Sequence, residues 1–202
     1  MEPIADQILD IEWEMFGAVQ NIGGRASCQD DQATFRLQRG SQLRAWTPDM
    51  QKSYLGDLIA ARNEGRNPLA EKYGYMMEHT SPVEYEKISA DLPPVSAEKK
   101  ALIAGIAEIQ VRWLKELSRR YPYVTGNGRP ITESEDSIFD TSFETYLKGE
   151  LATYSEKTLE YYAAYVRELL QDGRNLNEMI LKNTCLSYGY SSIEDAEDRM
   201  KR

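Results

Sequence analysis

Apolar residues recur along this chain at helical spacing and almost nowhere in alternation. Ile4, Ile8, Ile11, Met15 and Val19 step at four, three, four and four residues, which is one helix face. A second helix is expected from about Asp31 to Trp46, with Phe35, Leu43 and Trp46 inward. Thr47-Pro48 reads as an N-cap followed by a first-turn proline, opening a third helix to about Glu64. Gly65 is suited to stop it in the left-handed conformation, and Asn67-Pro68 starts the next, which carries Leu69, Tyr73, Met76 and Met77. Ser81-Pro82-Val83-Glu84 reads as a capping box, and Asp91-Leu92-Pro93-Pro94 is the sharpest break in the chain.

Helical patterning resumes beyond the break. Ser96 should cap a helix whose inward face is Leu102, Ile106, Ile109, Trp113 and Leu117, ending before Tyr121-Pro122. Tyr121 to Phe139 is a long polar connection, readable as a disordered loop or as a lid. Thr141-Ser142-Phe143-Glu144 reads as another capping box, Ser155 caps a helix to about Asp172, Gly173 stops it, and Asn175 with Glu178 starts the next. Ser191 to Glu194 should cap a short terminal helix. No alternating strand stands out. The expected class is all-α: a bundle of about eight to ten helices, read as one domain over 1–202.

Shifting the chain by 108 residues aligns Phe35 with Phe143, Leu43 with Leu151, Tyr54 with Tyr162, and Gly65-Arg66-Asn67 with Gly173-Arg174-Asn175. Six identities in 33 aligned positions compare with about two from average composition. A shift of 98 aligns Ile8 with Ile106, Ile11 with Ile109 and Met15 with Trp113. The expected organisation is therefore two tandem four-helix units, an internal repeat of 1–92 and 96–190, packed with pseudo-two-fold symmetry.

Composition excludes several functions. The balance of 24 basic and 33 acidic residues leaves a net charge of −9, which opposes a broad nucleic-acid surface. One histidine, His79, cannot furnish the paired Glu-x-x-His motifs of a ferritin-like di-iron site. No metal site and no cofactor motif is expected, although a carboxylate-only site on Glu12, Glu71 or Glu150 is the residual case. Two cysteines, Cys28 and Cys185, fit a reducing cytoplasm. No signal-like or membrane-spanning run is visible, so no membrane partner is expected.

The segments Ile11-Glu12-Trp13-Glu14-Met15-Phe16, Gly23-Gly24-Arg25-Ala26 and Glu71-Lys72-Tyr73 with Met76-Met77 form a specific set. So do Thr145-Tyr146-Leu147-Lys148-Gly149-Glu150-Leu151 and Thr153-Tyr154-Ser155. With these the chain resembles, over nearly its whole length, an uncharacterised bacterial domain-of-unknown-function family of about this size. The resemblance implies a bacterial protein with no assigned chemistry. It also implies an association of some relatives with a nucleotidyltransferase-like domain, and so a candidate protein partner.

The residues themselves offer two functional readings. The first is a protein-interaction or binding module, a monomer or homodimer, which predicts no deep polar pocket. The second is an enzyme or binder acting on a small anionic ligand. There Arg25, Arg66 and Arg174, with Arg129 as a further candidate, hold charge at helix junctions where unpaired N–H groups gather. Tyr154, in a stripe with Tyr161 or Tyr162 and Tyr165, offers a ring to stack on, against the plainer reading of a core stripe. Glu12 and Glu150 fall on inward faces, as do Gln38 and Gln42. They are the candidate catalytic carboxylates, unless Arg25, Arg39 or Arg129 pairs them into a structural network. The second reading predicts that these groups converge on one cleft, with one carboxylate's pKa raised.

Overall fold

Hydroxyl, carboxylate and carboxamide caps set the helix starts in this protein. The structure, a computed structural model, describes residues 2–20, 24–137 and 140–201; Gly23 and Phe139 lie outside them. Eleven α-helices and no strand occur among the described residues: α1 (Ile4–Gly17), α2 (Gln32–Leu43), α3 (Pro48–Asn63), α4 (Pro68–Thr80), α5 (Pro82–Ile88), α6 (Ala97–Arg120), α7 (Pro122–Thr125), α8 (Phe143–Thr153), α9 (Glu156–Gln171), α10 (Leu176–Ser187) and α11 (Ile193–Met200). The fold is an all-α bundle.

Asp31, Thr47, Ser96, Ser155 and Asn175 each accept a hydrogen bond from the backbone N–H three residues ahead. Asn67 accepts from both Leu69 and Ala70. These contacts satisfy donors that the first helical turn leaves unpaired. Gly65 and Gly173 end α3 and α9 at φ +72 and +66, where a Cβ would be strained.

Three expected caps differ. Ser81 makes no side-chain cap, because it must also close α4, donating its N–H to the Met77 carbonyl. Ser142, not Thr141, caps α8, while Asp136 binds the Ser142 N–H and the Thr145 hydroxyl. Ser192 rather than Ser191 caps α11. The long connection is built rather than open over its described part: it holds α7 and a 3-10 turn at Glu133–Glu135, and Tyr121 is buried.

Helix α1 packs on α2, α3 and α4, and α6 packs on α8, α9 and α10. Helix α4 lies along α8, and α2 along α10. One apolar cluster draws Ile8, Met15, Leu43 and Leu58 from the first half and Ile106, Leu151, Leu159 and Leu169 from the second. Each such side chain contributes roughly 1.5–3 kcal/mol on burial. A smaller cluster joins Leu117, Tyr121 and Cys185 to Ile193 and Ala196 of α11. No helix among the described residues is long and apolar enough to cross a membrane.

Candidate functional site

At the centre of the bundle α1, α2 and α8 bring three charged side chains together. Glu12 is inward because it lies four residues from both Ile8 and Phe16 on α1. Glu150 is inward because it precedes Leu151, fully buried on α8. Arg39 of α2 lies between them. Its Nε donates to Glu12 Oε2 at 2.8 Å and its Nη2 to Oε1 at 2.8 Å, a forked pair. Its Nη1 donates to Glu150 Oε1 at 2.8 Å and to Gln42 Oε1. Tyr54 donates to Glu12 at 2.7 Å and Tyr154 to Glu150 at 2.6 Å. The side chains of Arg39, Glu12 and Glu150 are only 10%, 4% and 11% exposed. Trp46 meets the rings of Tyr54, Tyr154 and Tyr162 edge-on at 5.5 to 5.9 Å.

This arrangement keeps the network charged. Burial alone would raise the Glu150 carboxyl, but Arg39, Lys72 and the Tyr154 hydroxyl outweigh it and hold it at about 2. The expectation of a raised carboxylate is therefore corrected at Glu150: a group ionised this firmly does not hold a proton to donate near neutral pH. Burial, then Glu12, pushes the Tyr54 hydroxyl well above its ordinary value; burial, then Glu150, does the same at Tyr154. Arg39 stays protonated because Glu12 and Glu150 outweigh the cost of its burial.

Beside the network stands a second group of charges. Lys72 of α4 is buried, with its Nζ 3.8 Å from Glu150 Oε2 and donating to the Tyr146 hydroxyl at 2.7 Å. The same Nζ is 4.1 Å from the Tyr146 ring centroid, and the Arg129 guanidinium is 4.7 Å from it. Tyr146 thus carries two cations. Arg129 also donates to the Thr141 carbonyl at 3.3 Å, and no carboxylate among the described residues pairs with it. Three cations, Arg39, Lys72 and Arg129, consequently face two carboxylates, Glu12 and Glu150. The locus is positive by one charge in a chain of net charge −9.

Two clefts meet there. A small one of about 160 Å³ is lined by Glu12, Arg39, Lys72 and Tyr54. A larger one of about 420 Å³ is lined by Leu114, Leu147, Ile180, Leu181 and Arg129. Gln42, Tyr146 and Glu150 line both. Across α8, Thr145, Lys148, Gly149 and Ala152 face a different hollow of about 640 Å³ with His79 and Lys100 on its rim.

The sequence-derived candidates are divided. Glu12, Glu150 and Tyr154 come together, and of the three arginines considered as their partner Arg39 fills the role. Arg25 is elsewhere, donating to Asp30, Gly17 and Gln29 at the end of α1. Arg66 forks onto Glu71 at 2.8 Å, so each carboxylate considered for a metal faces a guanidinium instead. Arg174 contacts Met179 at the end of α9, far along the chain from that pair. These three arginines do not join the carboxylates. Tyr154 and Tyr162 are fully buried, whereas Tyr161 is exposed; Tyr154 presents its hydroxyl to Glu150, not a ring to a ligand. Gln38 is exposed and donates to the Tyr188 hydroxyl. Cys28 is exposed and Cys185 buried, both free thiols.

Lys72 and Tyr146 were not among the sequence candidates. The signal for Lys72 lay in its spacing, three residues after Leu69 and four before Met76, which places a lysine on the apolar stripe of α4.

An all-α bundle with a buried Glu–Arg–Glu centre flanked by clefts defines the class: a helical protein whose polar side chains converge inside. More particularly, the chain belongs to the family described as protein of unknown function (DUF4125), whose profile matches residues 2–198. No curated protein and no solved structure matches it.

Proposed function

We propose that the protein binds a small organic anion where the two clefts meet, at Lys72, Tyr146 and Arg129. The observation that carries this reading is the surplus cation: Arg129 stacks on Tyr146 beside a concave, largely apolar site and has no carboxylate partner among the described residues. A hollow of that size lined by apolar groups with a few converging polar ones is what small-molecule sites have. In this reading Arg129, in the connection between α7 and α8, holds the charge rather than Arg25, Arg66 or Arg174. A protein-docking module finds less support, since the exposed large apolar side chains are drawn from six helices and, at Tyr188, the turn after α10.

The test is thermal unfolding of the whole chain in a panel of organic anions, with matched amines and alcohols as controls. An anion at a hundred times its Kd stabilises by about 2.7 kcal/mol and raises Tm. Arg129→Gln, at an exposed position, should remove most of that rise without lowering the unliganded Tm. An equal rise with amines, or an undiminished one in Arg129→Gln, would overturn the reading.

We also propose that the two halves descend from one repeat. Asn67 and Asn175 cap their helices and donate to the Met15 and Trp113 carbonyls. The Tyr54–Glu12 and Tyr162–Gln110 bonds stand at the same two offsets of 108 and 98. The two free thiols fit the cytoplasm as its location.

A further inference from the structure

At the 108-residue shift the two clefts have corresponding linings with opposite chemistry. Arg39 of the small cleft corresponds to Leu147 of the large one, and Lys72 to Ile180. Phe35 corresponds to Phe143. Gln42 and Glu150 correspond to each other and line both clefts, so they stand at the boundary. Two similar hollows between equivalent helices have thus been furnished differently, one with charges and one with hydrocarbon. Each alone is incomplete: the charged cleft, about 160 Å³, has little room for a ligand body, and among the described residues Arg129 is the one cation that lines the apolar cleft.

We propose that the site takes an apolar-bodied monocarboxylate, its head at Lys72, Tyr146 and Arg129 and its hydrocarbon along Leu114, Leu147, Ile180 and Leu181. The inference rests on the anion-binding reading above and adds the ligand's class. Charge selects the head. Glu12 and Glu150 already balance Arg39 and Lys72, so one negative charge neutralises Arg129 and completes the count. A second would remain uncompensated near Glu150 Oε2, which accepts no hydrogen bond from the described residues and lies 3.8 Å from Lys72 Nζ. Lys72 and Arg129 both lie against the Tyr146 ring, 4.1 and 4.7 Å from its centroid, and each is a donor that a carboxylate can accept from. Hydrogen-bond capacity is available at Lys72, since Tyr146 takes one of its three donors. The apolar cleft selects the body, because hydrocarbon laid against Leu147 and Ile180 leaves water as it binds.

Calorimetric titration of the whole protein with butanoate, hexanoate, octanoate and octyl phosphate tests this. Affinity should rise roughly threefold to fourfold per added methylene, and octyl phosphate should bind more weakly than octanoate. Leu181→Trp, which fills the apolar cleft, should flatten that rise, so that octanoate binds the variant no more tightly than butanoate does. Affinity independent of chain length in the wild-type protein would overturn the amphipathic ligand while leaving the anion locus standing. Octyl phosphate binding as tightly as octanoate would overturn the preference for a single charge. Binding of none of the four would remove the anion-binding reading itself, and this inference with it.

Discussion

Arg39 is the residue on which the interior depends. Its guanidinium is shared by two buried carboxylates, and a tyrosine hydroxyl donates to each of them. Removing one partner of such a set leaves charges buried without compensation, at a cost of about 3–5 kcal/mol. Arg39→Met should therefore lower the urea-unfolding free energy by that amount. Arg39→Lys should recover only part of it, because an ammonium cannot reproduce the fork. Arg66→Ala gives the contrast. Its fork onto Glu71 is similar, but its side chain is 38% exposed, and solvent holds the loss to about 1 kcal/mol. If Arg39→Met costs no more than Arg66→Ala, the network is not a structural centre. Glu12 was legible in sequence because helical period places it inward between Ile8 and Phe16, and Glu150 because it stands at the place of Gln42 in the 108-residue alignment. Their partner was one of three arginines on periodicity, since choosing Arg39 requires the crossing of α1, α2 and α8.

Helix boundaries were the most legible elements, because a cap is a local contact between residues two or three apart. Thr47, Asn67, Ser155 and Asn175 act where the sequence placed them. Ser81 fails because it ends one helix while starting another, which the four-residue box does not encode. Which helices meet was not legible, and α4 against α8 is the clearest case. There Gly149 permits contact: a Cβ on it would lie 2.8 Å from Met76 Cγ and 3.0 Å from the Lys72 carbonyl oxygen. The second neighbour is backbone and cannot turn aside. Gly149→Ala should push the helices apart and cost about 1–3 kcal/mol, read as a fall in Tm. Gly105 of α6 has nothing within 4 Å of an added Cβ. Gly105→Ala should stabilise by roughly 0.5–1 kcal/mol. A matching gain at both positions would mean that the α4–α8 approach is looser than these distances require.

For the whole molecule, the two halves are tied across their join by charge as well as by hydrocarbon. Glu12 and Arg39 come from the first half and Glu150 from the second, so protonating Glu150 loosens a contact between halves. The all-α class was plain from periodicity, but this interleaving was not, since pairing α2 with α10 and α4 with α8 depends on contacts between distant residues. The pH dependence follows from the direction of the shift. The folded-state carboxyl of Glu150 is depressed from 4.5 to about 2. Its contribution is thus fully present above about 4.5 and is lost as pH falls toward 2. The shift corresponds to ~3 kcal/mol. Burial opposes it, while Arg39, Lys72 and Tyr154 supply it, so removing the titrating group should remove that part of the slope. Glu150→Gln still accepts from Arg39 and Tyr154 but cannot titrate. It should be less stable than wild type at neutral pH, and its urea-unfolding free energy should fall less steeply through the acid range. The two stability curves should therefore converge as pH falls. Parallel curves over the whole range would show that Glu150 titrates alike in the folded and unfolded chain, and that its charge does not hold the halves together.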